Sequence, residues 1–347
     1  MQDHIDTPEL SFSDLFDKVA SAGLLERRTV YYSLKIGVTF LAYVAGWMAF
    51  ARVGNSWITV LPAVFLGIVF TQLGFVGHDA GHQQIFRSRR ANRYLGLAVG
   101  NTLTGLCYGW WVPKHSAHHA HPNEIGRDPD VAEYPTCAPS ATAATTLSTR
   151  IGRFLARWQA PLFAPMMLLR SVGLHVSGAR FLIRRHNRAA AGETLLIALH
   201  CAMYLMILAL VLSPVKALAF VLIQQAVFSL YLGVSFAPNH KGMPIIARGS
   251  ELGFAERQII TARNVTGGWV VTSLLGGLNY QIEHHLFPSM PRPNLKRAQS
   301  LVKEFCATQQ LSYCETSFSE SFRRILRYLE VTSKPNHTLT TSNLNTR

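Results

Sequence analysis

Histidine is the residue of this chain best suited to chemistry, because most of its 14 histidines fall into four short clusters. The clusters are "HDAGH" at 78–82, "HSAHH" at 115–119, "NH" at 239–240 and "QIEHH" at 281–285. In the first two, rings three or four residues apart share one face of a helix and can reach one ion. The candidate metal ligands are eight histidines: His78, His82, His115, His118, His119, His240, His284 and His285.

The number of clustered histidines predicts a dinuclear metal centre. Imidazole is a good ligand for zinc, copper, iron and nickel, and a structural zinc site is complete with four ligands. Eight imidazoles therefore indicate two ions and favour a catalytic centre. A single HxxxH pair is more often incidental, and histidine clusters also serve as surface pH sensors, but four clusters together favour metal binding.

Acidic residues next to the clusters are candidates to orient the ligating rings. Ligating histidines usually donate their second N–H to a carboxylate or a carbonyl, and Asp79, Asp128 and Glu283 lie close to clusters in the sequence. The alternative for Asp128 is a cap on the turn around Pro129. His200 has no partner at ligand spacing and is predicted to be a hydrogen-bonded histidine inside a membrane helix.

The elements that carry these clusters are predicted to be membrane helices. The chain is 49% hydrophobic and only 15% charged, whereas soluble proteins average about 25% charged residues. Four segments are almost free of charge and about long enough to cross a bilayer: Val30–Ala51, Trp57–Val76, Leu195–Leu212 and Ala217–Ala237. Buried core helices of a soluble protein are the alternative, but four such segments favour an all-α membrane protein.

The distribution of basic residues predicts the topology. The short links "RVGNS" at 52–56 and "SPVK" at 213–216 hold one basic residue each, whereas Arg27, Arg28 and the stretch "RSRRANR" at 87–93 lie on the other side. By the positive-inside rule, both termini and all four clusters are then cytoplasmic. Nucleic-acid binding is the rival explanation of the net charge of +14. The chain has no nucleic-acid motif, so no nucleic-acid partner is expected.

Two further apolar stretches must not cross the membrane if the clusters are to meet. Tyr94–Val112 contains polar residues and glycines and is predicted to be re-entrant or interfacial, and Trp158–Leu174 is predicted to be interfacial. The expected fold has four transmembrane helices in two hairpins and a cytoplasmic helical cap that carries the metal site. The expected organisation is an N-terminal cytoplasmic segment (1–29), one membrane domain (30–330) and a disordered tail (331–347).

Three motifs resemble the histidine boxes of the membrane fatty-acid desaturases. They are "HDAGH", "HSAHHAHPNEIGRDPD" and "NYQIEHHLFPSMPRPNL", and the resemblance covers most of the chain. Gln281 stands where the commoner third box has histidine, which is similar to front-end desaturases and related bacterial acyl desaturases. "SFAPNHKGM" resembles the additional Asn/His site of that family, between its second and third boxes.

The resemblance implies an oxidoreductase with two non-haem iron ions, which uses O2 and two electrons to introduce a double bond into an acyl-CoA or acyl-lipid chain. It implies that the eight clustered histidines bind iron, and that Asn239 and Gln281 are weak or water-mediated ligands. A separate electron donor of the ferredoxin or cytochrome b5 type, with its reductase, is expected because the sequence holds no HPGG haem motif, ferredoxin-like cysteine set or Rossmann fingerprint. The expected location is a bacterial cell membrane, in contact with its lipid.

Two alternative functions remain open at the level of the sequence. A hydroxylase of alkyl chains or carotenoids uses a similar histidine set and leaves oxygen in its product. A membrane metal transporter is expected to carry polar ligands at mid-membrane depth, whereas the clusters here lie at the ends of the predicted spans. Chain length, double-bond position and head group depend on the shape of the binding site, which no motif reports.

Overall fold

The structure is a computed structural model that describes residues 11–132 and 150–333, and these residues are mostly helical. In chain order the helices are α1 (Phe12–Ser21), α2 (Thr29–Val53), α3 (Val60–Gly81), α4 (Arg89–Leu97), α5 (Tyr108–Ala120), α6 (Pro129–Ala132), α7 (Arg150–Arg157), α8 (Gln159–Met167), α9 (Arg170–Arg184), α10 (Arg188–Val211), α11 (Pro214–His240), α12 (Phe254–Ile260), α13 (Gly268–Leu274), α14 (Gln281–Leu286), α15 (Arg292–Thr308) and α16 (Phe318–Thr332). A 3-10 turn (Trp57–Thr59) precedes α3, and a π-helix (Ala98–Thr104) follows α4. Two short strands, β1 (Asn264–Thr266) and β2 (Glu315–Ser317), pair in parallel. The predicted disordered tail falls almost wholly on residues 334–347, which lie outside the described residues.

Four of the described helices are long and apolar enough to cross a membrane, which confirms the four predicted segments. They are α2, α10, α11 and α3, the last with its preceding 3-10 turn. Their outer faces expose large apolar side chains, such as Val30 and Leu210, which are 75% and 78% exposed. Such a surface is unfavourable in water and suits contact with lipid.

The four long helices meet at the end where their links are short. Phe50, Leu66, Leu208 and Phe220 come from α2, α3, α10 and α11 and form one buried apolar cluster. A Cβ on Gly67 would lie 2.8 Å from the backbone oxygen of Gln224, so glycine lets α3 and α11 approach closely. The opposite ends of these two helices carry the histidines.

The stretch Tyr94–Val112 does not form a continuous span. The structure divides it into the end of α4, the π-helix, a left-handed turn at Gly105 and the start of α5. The ring nitrogens Nδ1 of His200 and His175 contact the carbonyl oxygens of Thr102 and Gly105 at 2.9 and 3.0 Å. The prediction of a hydrogen-bonded His200 in a long apolar helix is therefore confirmed.

The stretch Trp158–Leu174 is also broken. It forms α8 and the start of α9, which are bent by 76° relative to each other. Neither helix is long enough to span a bilayer alone, and the two together would make a bent span or a re-entrant loop. Its interfacial location stays a prediction.

Helices α1, α12 and α15 lie around α14 and hold it in place. Leu15 and Val19 of α1 lie in one apolar cluster with Val302 of α15 and Ile282 of α14, and β1 follows α12 beside the same cluster. All six residues of α14 are buried. The short helix that carries the fourth histidine cluster is thus fixed by packing rather than by its own length.

Candidate metal centre

The structure brings all eight predicted ligand histidines together. His78 lies in the last turn of α3, and His82 caps the C-terminus of that helix. Three more histidines lie on α5, His240 is the last residue of α11, and two lie on α14. Four segments that are distant in sequence therefore contribute to one buried set of rings.

The first group consists of His78, His82, His115 and His284. One ring nitrogen of each lies within 4.8 Å of the others. The Nε2 atoms of His115 and His78 are 3.2 Å apart. When both rings carry their proton at Nδ1, two Nε2 lone pairs face each other at this distance, and a shared cation would relieve their repulsion.

The second group consists of His118, His240 and His285, whose ring nitrogens also lie within 4.8 Å of one another. Each Nδ1 atom has an oxygen acceptor: a carboxylate oxygen of Asp128 for His118, the backbone oxygen of Thr261 for His240, and Oε1 of Gln258 for His285, each at 3.0 Å. These oxygens only accept, so Nδ1 carries the proton and Nε2 keeps its lone pair for a metal.

His119 lies between the two groups. Its ring stacks on that of His285 with the centroids 4.1 Å apart, and its centroid is 4.4 Å from that of His82. Its Nε2 atom is 3.2 Å from Nε2 of His115. The eight histidines thus form one group of four rings and one group of three, and the ring of His119 lies between them.

Unpartnered nitrogens test whether these residues fit a metal. Within the described part of the chain, five buried ring nitrogens lack a hydrogen-bond partner: Nε2 of His82, Nδ1 of His119, both nitrogens of His284, and Nε2 of His285. Buried polar atoms are nearly always satisfied, so this concentration is unusual. A neutral imidazole keeps a lone pair on one of its two nitrogens, so these rings can offer lone pairs that metal ions would satisfy.

Burial also keeps most of these rings neutral. It is the largest cause that lowers the pKa of His82, His115, His119, His284 and His285 below the ordinary value for histidine. Neighbouring imidazoles lower these pKa values further, because a second positive charge in the cluster would be repelled. Neutral imidazole is the form that binds metal.

Asp128 behaves as predicted for an orienting carboxylate, and it also caps a turn. Burial lowers the pKa of His118, but the hydrogen bond and the charge of Asp128 more than reverse this and raise it. The same carboxylate accepts from the backbone N–H groups of Asn123 and Asp130 at 2.7 and 2.8 Å. Both interpretations of Asp128 from the sequence are therefore present at once.

Asp79 contacts its neighbour His78 and a partner that the sequence did not suggest. Its Oδ1 atom is 3.3 Å from Nδ1 of His78 and accepts from Nη2 of Arg292 at 2.7 Å. All three side chains are buried. A buried ion pair thus supports His78, the first histidine of the first group.

Glu283 has a different role from the one that its sequence position suggests. It is buried next to His284, but its described partners are Asn264 Nδ2 at 2.7 Å and the hydroxyl of Tyr313 at 2.6 Å. Burial raises the pKa of this carboxyl group. Glu283 therefore fixes α14 against β1 and the chain before β2, and its described hydrogen bonds go to these partners rather than to the eight rings.

Asn239 and Gln281 form a pair at the edge of the second group. Asn239 Nδ2 donates to Gln281 Oε1 at 3.1 Å, and Gln281 Nε2 lies 2.9 Å from Nε2 of His240. Oδ1 of Asn239 is buried and has no partner among the described residues. Both amides therefore lie next to His240, at the edge of the second group.

Several residues that complete the centre were missed from the sequence. Gln258 and the carbonyl of Thr261 belong to segments without a histidine, whereas Arg292 lies in the flank of the third motif. No spacing rule assigns any of these groups to a particular ring. Trp111 stacks on His115 with the ring centroids 4.5 Å apart, and a Cβ on Gly81 would lie 2.6 Å from this indole. Of these contacts, only that of Trp111 with His115 could have been predicted from the sequence, because residues four positions apart share one face of a helix.

Comparison with known proteins identifies the family. The family model for fatty acid desaturases matches residues 55–317. The Delta(5) fatty acid desaturase fat-4 of Caenorhabditis elegans is 32% identical over 323 residues, which cover 90% of this chain and 71% of that protein. The Delta(8)-fatty-acid desaturase of Euglena gracilis is 30% identical over 335 residues, covering 92% and 78%.

A Delta(8)-fatty-acid desaturase of Helianthus annuus is 27% identical over 324 residues, which cover 89% of this chain and 70% of that protein. These relatives come from a worm, a plant and Euglena, so the expected bacterial membrane has no support from them. The matched region contains all eight clustered histidines. The chain therefore belongs to the fatty acid desaturase family and is an enzyme that desaturates fatty acids.

Proposed function

We propose that this enzyme introduces a double bond near the carboxyl end of the acyl chain of an acyl-CoA or acyl-lipid, with O2 as co-substrate. The observation that carries the proposal is the convergence of two histidine groups at the ends of α3 and α11. The relatives are named Delta(5), Delta(6) and Delta(8) desaturases, which supports a bond position in that range.

Two iron ions are the proposed cofactor, one for each group of histidines. The first ion is held by His78, His82, His115 and His284, and the second by His118, His240 and His285. His119 completes one of the two coordination spheres from its intermediate position. Gln281 and Asn239 are proposed as weak or water-mediated ligands of the second ion, because their amides lie beside His240.

The reaction needs the metal because an unactivated methylene has neither an acidic proton nor a leaving group. Two irons bound by these histidines would supply the activation of O2 that is needed to remove hydrogens from the methylene. The chain supplies a dry environment, since the cluster rings are buried or partly buried and mostly neutral. It also supplies orientation, because Asp128, Gln258 and the Thr261 carbonyl fix three of the rings.

The proposed topology places the histidine groups at the cytoplasmic surface. The four long helices form two hairpins, the termini are cytoplasmic, and the elements between and after the hairpins form a cap over the metals. Arg27, Arg28, Arg89 and Arg90 support this orientation, because they lie on the histidine side of α2 and α3. Residues 30–330 are proposed to form a single desaturase domain.

The proposed electron donor is a separate ferredoxin or cytochrome b5-type protein. Arg127 and Arg248 are exposed on two segments that a bridge between Glu124 and Ile246 joins. Arg127 directly precedes Asp128, the partner of His118. Exposed positive charge beside the second group would attract an acidic redox protein and shorten the path of electrons to the metal.

The test is product analysis in a host that expresses this protein. Fatty acids are derivatised to locate double bonds and measured by gas chromatography–mass spectrometry, with His284→Ala cells as the control. A new unsaturated acid that the variant lacks is expected. A hydroxylated product would overturn the proposal in favour of a hydroxylase. The absence of any new product from iron-loaded protein supplied with reductase and ferredoxin would also overturn it.

A further inference from the structure

Glu193 is a buried carboxylate in the first turns of α10, one of the four candidate spans. It is 7% exposed and lies outside the two histidine groups. Its Oε2 atom accepts from the backbone N–H of Gly109 at 2.8 Å and from Nδ2 of Asn101 at 3.1 Å. Ionisable side chains within membrane helices are costly and usually have a function.

The partners of Glu193 show what this carboxylate does: it caps another helix. Cys107 is the N-cap residue of α5, and its side chain makes no capping hydrogen bond. Instead, the N–H of Tyr108 donates to Oδ1 of Asn101 at 3.0 Å, and the next N–H, of Gly109, donates to Glu193. Two side chains from the π-helix and α10 thus satisfy N–H groups that no residue of α5 can satisfy.

The packing at this cap requires glycine at position 109. A Cβ there would lie 2.0 Å from Oε1 of Glu193, so any larger residue would push the carboxylate off the helix end. The amide orientation of Asn101 is fixed by the same contacts, since its oxygen accepts from Tyr108 and its nitrogen donates to Glu193. The cap is therefore a specific arrangement of three segments.

Helix α5 carries His115, His118 and His119, which belong to both histidine groups or lie between them. His115 follows Gly109 by six residues, or about 9 Å along a helix. A helix that is held at its first turn cannot slide along its axis. We propose that Glu193 is a positioning residue that fixes the axial position of α5, and through it the ligand geometry of both metals.

The effect of Glu193 on the metals rests on the proposed function, which assigns two irons to the histidines. The first readout, the protection of α5, does not depend on that assignment. Hydrogen–deuterium exchange of the full-length protein in detergent, after iron removal, is measured by mass spectrometry in Glu193→Leu, Glu193→Gln and Glu193→Asp. The control is Thr194→Val, because Thr194 donates only to the carbonyl of Ala190 within its own helix among its described contacts. Iron retained by each purified protein after a chelator challenge is the second readout.

Loss of the cap is expected to raise exchange in peptides from 108–120 by about tenfold in Glu193→Leu, with little change in α2 or α3. Glu193→Gln keeps an acceptor oxygen and is expected to restore protection to within about threefold. Glu193→Asp keeps a carboxyl group on a side chain that is one methylene shorter, so it is expected to lose the contact with Gly109 and to expose the same peptides. This variant remains informative if Glu193→Leu does not fold.

The proposal is overturned if Glu193→Asp and Glu193→Leu exchange like the Thr194→Val control in 108–120, or if exchange rises equally in all spans. Rapid exchange in 108–120 with unchanged iron retention would overturn the link to the metals while leaving the cap intact. Iron loss that follows the exchange, and recovers in Glu193→Gln, supports the whole inference. A failure of the proposed desaturation would instead appear only in product analysis.

Discussion

The two histidine groups differ in how their rings are held. In the second group, His118, His240 and His285 each have an oxygen acceptor at Nδ1. In the first group, His78 contacts Asp79, whereas both ring nitrogens of His284 lack a partner among the described residues. The second group is therefore organised by the protein before a metal binds, and the first group relies more on the metal itself.

The difference predicts that the two proposed metal ions are held with unequal affinity. An outer partner that fixes the tautomer and the direction of a ring typically contributes a factor of about 10–100 in metal affinity. Three such partners in the second group, against one in the first, predict tighter binding at the second site. The following predictions test this asymmetry.

The largest effect is expected from removal of one ligand from each group. His284→Ala and His118→Ala should each retain one iron in place of two. Each should lose activity by more than the ~100-fold that typically follows loss of a hydrogen-bond partner behind a ligand. Iron is counted by plasma mass spectrometry on monodisperse protein. His200→Ala is the control, because this histidine contacts a backbone carbonyl away from the centre. If His284→Ala still retained two irons, His284 would not be a ligand, and the proposed first site would be wrong.

Loss of Arg292 should destabilise the fold around the first group. Arg292→Met leaves the buried Asp79 without its cation, and breaking a buried ion pair costs about 3–5 kcal/mol. Denaturant unfolding in detergent measures the free energy of unfolding. Arg292→Lys keeps the charge and should lose less of this free energy. Equal stability of Arg292→Met and the native enzyme would show that Asp79 does not depend on this pair.

Loss of the carboxylate behind His118 should weaken the second site alone. Asp128→Ala is expected to lower its metal affinity by about 10–100-fold, because the ring loses both its orientation and its anionic partner. Asp128→Asn keeps an acceptor oxygen and should lose less. Competition with a coloured chelator gives the affinity. A loss confined to the first-group ion would reverse the proposed assignment of His118.

The smallest effect concerns the order of metal release from the native enzyme. Under limiting chelator, iron should leave in two phases, with the first-group ion leaving faster, by about tenfold if one outer partner makes the difference. The slow phase should become faster in Asp128→Ala and remain unchanged in Asp79→Asn. A single phase for both ions would contradict unequal sites.

The sequence was sufficient to predict the four long apolar helices and to select the eight histidines that the structure brings together, because both signals are local. Apolar length marks α2, α3, α10 and α11, and helical spacing places rings on one face within each cluster. It could not predict that His115 joins His78 while His118, three residues later, joins His240. That division depends on how α5 packs against two other helices, which no local pattern encodes.

Glu283 shows why closeness in sequence misleads on a helix. Successive residues of a helix project about 100° apart, so closeness in sequence alone does not direct a side chain toward a particular ring. Glu283 accordingly reaches Asn264 and Tyr313. Gln258, which supports His285 from another helix, could be found only once the tertiary contacts were known.

The spread of the ligands along the chain has a consequence for biosynthesis. His284 follows His78 by 206 positions, and α14 supplies one ligand to each group. At ordinary rates of translation, about 5–20 residues per second, α14 emerges at least ten seconds after α3. The histidines of α3 and α5 therefore wait in the nascent protein without their last partners. The proposed iron ions could therefore enter a complete site only after the membrane helices have been synthesised.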